Sequence, residues 1–414
     1  MTQYITFPQL AWHGIKYLKL SLPDSWDAEI YNMTGHDRPH ISPAEIGEAV
    51  KNPIEMKPLR EYARGKQEVV IIFDDMARVT RVFEIVPHVL EELAAAGIGD
   101  KQIRFIAACG CHAAMNRMDF EKKLGADVLK RFSVYNHAPY GKSTYVNTTT
   151  RGTKLYINAE VMKCDLKIGI GSVVPHIMAG FGGGGKIVLP GVAAYRTIVA
   201  LHSPKVASET TGVSDTVTGM GNIDDNPRRR DINEAVEMAG LDMKIDALVN
   251  GRGETTAVFA GSPVPTYALA LKAAKEHYLT RGAKDKDIII ANTFAKANEA
   301  VSGLLAAFPS VTQRGGDIVL IANAPEGQIT HYLMGPFGNE IGGALQLQME
   351  PPENVNRLVI FSEYPELSSR KYLEASDRIV LVNDWDEVIS MLRESYGNDA
   401  SVGIYPNADI QYCR

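Results

Sequence analysis

The segment Pro175-His176-Ile177-Met178-Ala179-Gly180-Phe181-Gly182-Gly183-Gly184-Gly185-Lys186 holds the densest chemistry in the chain. Gly182, Gly183, Gly184 and Gly185 remove every Cβ from a short loop, so backbone can approach a bound group closely and its N–H donors can hold an anion. Lys186 closes the loop. Such a lysine serves either as a fixed positive charge on a phosphate or as an amine that bonds covalently to a cofactor. His176 precedes it and His202 follows it, and two histidines flanking a lysine suit a metal or proton-transfer site. Gly180-x-x-x-x-Gly185-Lys186 also matches most of a phosphate-binding P-loop, but Ile187 stands where that motif needs Ser or Thr to hold Mg²⁺. A P-loop-like nucleotide hydrolase is thereby an alternative reading, and a plain flexible glycine loop is another.

Two further clusters carry candidate groups. Cys109-Gly110-Cys111-His112 lacks a usual zinc spacing and a second cysteine pair. Buried inert thiols are the default for its cysteines, with His112 as a candidate acid or base. Asp74-Asp75-Met76-Ala77-Arg78 offers two carboxylates and a guanidinium, either at a ligand site or as a local ion pair capping the next helix.

The elements that must position these groups alternate between short β-branched runs and helical patterns, the mark of α/β architecture. Val69-Val70-Ile71-Ile72-Phe73 reads as a buried parallel strand. Val82, Ile85, Val86, Val89, Leu90 and Leu93 lie at helical spacing, with Gly97 to end the helix. Residues 103–107 read as the next strand. The Asp74-Asp75 and Cys109–His112 clusters therefore follow the carboxyl ends of parallel strands, where α/β proteins place ligands. Further strands are expected at 166–170, 245–249 and 256–260. A helix over 265–278 is placed to join two lobes, and strands follow at 288–290, 318–321, 358–361 and 379–382, with a helix over 298–307. The expectation is two α/β lobes with mostly parallel sheets and an interlobe cleft: residues 1–270 carrying the cofactor and acid/base motifs, residues 271–414 completing the substrate pocket.

Bulk properties bound the function. The chain has 414 residues, 45% hydrophobic, enough for two cores. Its formal charge of −6 argues against nucleic-acid binding. The basic run Arg228-Arg229-Arg230 is flanked by Asp224, Asp225 and Asp231 and reads as a solvated helix start. No signal peptide and no apolar membrane span is read, and four cysteines form no disulfide framework, so a cytoplasmic protein is expected.

Taken together, Asp75-x-x-Arg78 after an apolar strand, Gly110-x-His112, and Pro175-His176 leading through the glycine loop to Lys186-x-x-x-Pro190-Gly191 and then His202 resemble the nickel-dependent lactate racemase family. The resemblance covers nearly the whole chain, taking in Gly14, Asn136-His137, Asn226-Pro227 and Gly315-Gly316-Asp317. It implies a racemase or epimerase of a small-molecule 2-hydroxy acid. The implied cofactor is the nickel-pincer nucleotide, a pyridinium-3,5-dithiocarboxylic acid mononucleotide held covalently on Lys186. His202 is then the protein ligand to Ni²⁺, and the glycine loop and Asp75 lie at the cofactor. The resemblance makes His112 and His176 the acid/base pair for hydride transfer through a 2-keto intermediate, and Arg78 the contact to the substrate carboxylate. It also implies cofactor-biosynthesis proteins as maturation partners.

Departures from the family pattern bear on substrate. The family's Asp-x-Thr-Arg-Pro is Asp75-Met76-Ala77-Arg78-Val79 here, and Ala113 replaces an arginine. Glu299 and Ser302 align where lactate racemases carry Gln and Lys. An acid for an amide and a hydroxyl for an ammonium favour a larger or more hydroxylated acid than lactate. A non-catalytic nucleotide or metal carrier on the same fold would have no use for His112 and His176. Oligomeric state is not legible from the sequence.

Overall fold

The computed structural model describes residues 2–202, 219–333, 349–367, 373 and 376–414. Two six-stranded sheets organise it. The first runs in the order Thr255–Gly261, Met243–Val249, Leu166–Ser172, Val69–Phe73, Ile103–Ala107, Ser133–Asn136, and only the outermost Thr255–Gly261 is antiparallel to its neighbour. The second runs Ile379–Val382, Val355–Phe361, Gly316–Ile321, Ile288–Asn292, Ser401–Tyr405, Asp27–Ile30 and is parallel throughout.

The continuous apolar runs are explained by burial on both faces. Val69, Ile71 and Phe73 enter one core while Val70 and Ile72 enter the core on the opposite side. In the second sheet Ile288 and Ile290 point one way, and Ile289 and Ala291 the other. Side chains alternate across a strand, so a sheet covered on both faces needs no polar positions. Helix Val82–Ala95 packs its Val82, Ile85, Val86, Val89 and Leu93 stripe onto the first sheet, as its spacing predicts.

Two expectations are corrected. The first lobe does not begin at residue 1. The hairpin Thr2–Gln9/Lys16–Pro23 buries Ile5, Phe7, Leu20 and Leu22 against Ile288, Ile290 and Val319, and Asp27–Ile30 then pairs with Ser401–Tyr405. Residues 2–30 therefore complete the second lobe, a long-range pairing that no local pattern announces. The helix expected over 298–307 is a 3₁₀ segment, Ala297–Gly303, broken at Glu299, which is out of helical conformation, and followed by one α-turn, Leu304–Ala307. The joining helix is Pro263–His277; its Tyr267, Ala270 and Ala274 pack with Val173, Leu248 and Val249 of the first sheet, and the chain passes to the second sheet only after it. Among the described residues no helix is long and apolar enough to cross a membrane.

A buried ion pair fixes the loop after Val69–Phe73. Lys123 is fully buried, and its Nζ donates to Asp74 Oδ1 at 2.8 Å, to Arg78 O at 2.7 Å and to Thr80 O at 3.1 Å. Asp74 is thereby occupied in holding the loop that presents Asp75 and Arg78. Removing one member of a buried pair leaves the other charge uncompensated, at a cost of about 3–5 kcal/mol. Lys123→Met is expected to lower unfolding free energy by that amount in chemical denaturation; a loss under about 1 kcal/mol, the range of an exposed pair, would show that Asp74 does not depend on it.

Candidate active site

The loops after three adjacent parallel strands of the first sheet meet at one cavity of ≈ 520 Å³, which also takes its lining from the second sheet's loops. Asp75 and Arg78 follow Val69–Phe73, His112 follows Ile103–Ala107, and His176, Gly182, Gly183 and Lys186 follow Leu166–Ser172. His202 ends helix Tyr195–His202, while Glu299 and Ser302 come from the segment after Ile288–Asn292. Ten of the twelve residues singled out by sequence thus share one wall. Gly184 and Gly185 do not line it.

His112 is clamped between carboxylates. Its Nδ1 lies 2.6 Å from Asp75 Oδ2 and its Nε2 lies 3.4 Å from Glu299 Oε1. Burial disfavours charge on the ring, but Asp75 and Glu299 outweigh it, so the His112 pKa is raised. Burial likewise opposes the Asp75 charge, and His112 and Arg78 reverse that, holding its pKa below the ordinary value. Asp75 Oδ1 accepts the Ala77 backbone N–H at 3.0 Å, which orients the carboxylate toward the ring.

His176 is the opposite case. Its Nδ1 accepts the backbone N–H groups of Met178 and Ala179 at 3.1 and 3.2 Å. A neutral imidazole that accepts at Nδ1 carries its proton on Nε2. That nitrogen lies 2.6 Å from Lys186 Nζ, so Nε2–H donates to the lone pair of an uncharged amine. Burial, then Lys186 and Arg78, push the His176 pKa well below its ordinary value; burial, then Arg78 and Arg229, do the same to Lys186. Geometry and electrostatics agree on a neutral, nucleophilic lysine. His202 is also neutral. Burial lowers its pKa to about 4, and its Nδ1–H donates to Ile198 O at 2.8 Å, leaving the Nε2 lone pair available.

The glycine loop works differently from the expectation. Gly182 N–H is bonded to Val174 O at 2.6 Å, and Gly184 N–H to the Asp246 carboxylate at 3.0 Å, so neither is available to an anion. A Cβ on Gly184 would fall 2.5 Å from the Tyr267 ring, and one on Gly185 2.5 Å from Val236 Cγ2. These two glycines let the loop seat against the helices behind it, which turns Lys186 toward the cavity. Arg229, buried in helix Pro227–Ala239, donates to Ala179 O and Phe181 O and fastens the same loop, so the basic run is not a solvated helix start. The P-loop reading also fails on shape: Gly184–Ile187 is one 3₁₀ turn and no α-helix grows from it.

From the second lobe, Glu299 Oε2 pairs with Arg78 Nη1 at 2.8 Å. Burial opposes the Glu299 charge, but Arg78, His112 and Lys296 bring its pKa down to about 2. The backbone of 330–332 runs beside 111–113, with Ala113 N–H on Thr330 O and Tyr332 N–H on Cys111 O, both at 2.9 Å. This sets the His331 ring edge-on to His112, centroids 5.0 Å apart. His331 and Lys296 both line the cavity and were not anticipated. Lys296 follows the carboxyl end of Ile288–Asn292, so the rule that drew attention to Asp75 could have found it. His331 carries no such signal.

The donors present fit the cofactor that the resemblance implies. A neutral buried amine suits a covalent bond, and a neutral imidazole with a free Nε2 suits one coordination position. Among the described residues no three His, Cys, Asp or Glu side chains converge as a metal cluster.

This α/β protein thus gathers a neutral lysine, a histidine with a free Nε2 and two oppositely poised histidines in one cavity. Residues 13–214 match the lactate racemase N-terminal domain family. Over that stretch the chain is similar to the lactate racemases. It is 29% identical over 289 residues to the lactate racemase of Lactiplantibacillus plantarum, a stretch covering 68% of this chain and 66% of that enzyme. It is 26% identical over 324 residues to that of Thermoanaerobacterium thermosaccharolyticum, covering 76% and 74%. The apoprotein structure of the latter shares the fold over the full length of both chains, with a TM-score of 0.74 at 21% identity. A Thermotoga maritima protein shares it over 90% of this chain and 99% of its own, with a TM-score of 0.66 at 18% identity.

Proposed function

We propose that this chain is an isomerase that racemises or epimerises a 2-hydroxy acid, with the nickel-pincer nucleotide held on Lys186 and nickel on His202 Nε2. The observation that carries the reading is the pairing in one cavity of His112, with raised proton affinity, and His176, with depressed affinity, beside a neutral lysine. When bound, the cofactor supplies a hydride acceptor, which lets the substrate pass through a planar 2-keto acid. The protein's part is proton handling and orientation. One imidazole accepts the hydroxyl proton as the carbon is oxidised, and the other returns a proton to the alcohol of opposite hand. His112 starts protonated, braced by Asp75; His176 starts neutral, and to take the hydroxyl proton at Nε2 it must first move its own proton to Nδ1, giving up the bonds from the Met178 and Ala179 N–H groups.

The substrate is proposed to be larger or more hydroxylated than lactate. Ser302 lines the cavity, its buried Oγ without a hydrogen-bond partner among the described residues, and Glu299 adds an acceptor. Cofactor attachment requires maturation proteins, so protein from a host lacking them is expected to be inactive. The test is protein from cells that load a known family member, incubated with single enantiomers of lactate, glycerate and gluconate and followed by chiral chromatography. Turnover of glycerate or gluconate at least about tenfold faster than lactate is the expected result, the scale of about 1.4 kcal/mol of differential binding. Best turnover of lactate overturns the substrate reading, and no inversion of any acid by loaded protein overturns the isomerase reading.

A further inference from the structure

One charge in the cavity has no direct partner among the described residues. Lys296 is 4% exposed and lines the cavity, yet no hydrogen bond or ion pair within 4 Å engages its Nζ among the described residues. Glu299 and Asp409 favour its charge from a distance, but neither comes within ion-pair range of it among the described residues. Glu299 gives Oε2 to Arg78 and turns Oε1 to His112. Asp409 Oδ2 accepts the backbone N–H groups of Phe294 and Lys296. That bond, and the 2.7 Å bond from Glu299 N–H to Lys296 O, fix the backbone from which the side chain departs. The position is built, and the ammonium head is left over. A buried unpaired charge is costly unless a ligand brings the opposite charge.

Arg78, by contrast, is occupied. Its Nη1 donates to Glu299 Oε2 and, at 2.6 Å, to Ala77 O. A substrate carboxylate arriving there would have to displace a carboxylate already in place, one whose pKa near 2 reflects how firmly it is held.

Resting on the isomerase reading above, we propose that Lys296 anchors the substrate carboxylate in this chain, and that Glu299 holds Arg78 as a fixed pair beside His112.

The test is calorimetric binding to cofactor-loaded protein, with loading verified by intact mass in every variant. Lactate, glycerate and gluconate are titrated, then the amide of whichever binds tightest. Wild type is expected to favour the acid over its amide by at least about 30-fold, and Lys296→Met to lose that preference, as loss of a buried charged partner does. Lys296→Arg is expected to retain it within about tenfold, the span of one pairing geometry against another. The ligand-free thermal midpoint of Lys296→Met is expected at or above wild type, because an uncompensated charge is removed. A midpoint well below wild type would make Lys296 structural and overturn the proposal. So would unchanged acid binding in Lys296→Met, or loss of the acid preference in Arg78→Gln alone. Wild-type protein that binds none of the three acids overturns the isomerase reading, and this inference falls with it.

Discussion

Lys186→Arg protein, purified from cells that load the wild type, is expected to run at its unmodified mass, to carry no nickel above background, and to be inactive by at least about 10³-fold, as for removal of a group the chemistry cannot proceed without. The argument starts from the hydrogen bond to His176. Because His176 Nδ1 is filled by two backbone donors, its Nε2 must present a proton, and the Lys186 amine must accept it. Only an uncharged amine has the lone pair to do so, and only an uncharged amine forms a covalent bond to a cofactor. Arginine keeps size and positive charge but stays protonated and offers no such lone pair. It therefore separates the two roles that the sequence left open for this lysine. A phosphate-holding lysine would tolerate arginine and still bind nucleotide. Retention of the mass increase in Lys186→Arg would move the attachment point to another residue.

How much of this was legible in the sequence follows from which interactions are local. The strands at 69–73, 103–107, 288–292 and 316–321 could be read because burial on both faces leaves an unbroken apolar run. The rule that ligands gather at strand carboxyl ends then found Asp75, Arg78 and His112. The N-terminal hairpin and Asp27–Ile30 were misassigned to the first lobe because their partner strand, Ser401–Tyr405, lies at the other end of the chain. The glycine run divides in two, with Gly182 and Gly183 lining the cavity and the next two serving another purpose. A Cβ at Gly184 or Gly185 collides with Tyr267 or Val236, residues far along the chain, so the requirement is packing and not an approach to a ligand. Side-chain pairing was the least legible. Asp74 and Asp75 are adjacent in sequence, yet one is taken by Lys123 in the core and the other by His112 in the cavity, a division of labour that only the tertiary structure reveals.

That division makes Asp75→Asn the sharpest probe of proton handling. Asp75 Oδ2 accepts from His112 Nδ1, and its charge is what raises the His112 pKa against burial. An asparagine preserves shape but removes the charge. If its amide nitrogen faces the ring, it also forces the proton to Nε2, the side of Glu299. The expected loss in kcat is on the order of 10²–10⁴-fold, the range for disabling one acid/base group. The sign of the pH effect is fixed as well. In the direction that needs His112 as a base, kcat rises with pH through the His112 pKa; without Asp75 that pKa falls, so the limb moves to lower pH. In the opposite direction His112 must start protonated, so the descending limb moves to lower pH too. For a racemase, kcat/KM must be equal for the two enantiomers at every pH because the equilibrium constant is one, so the asymmetry appears in kcat and is mirrored in KM. Measured kcat profiles that do not shift between wild type and Asp75→Asn would remove His112 from proton transfer and leave its pairing with Asp75 a structural one.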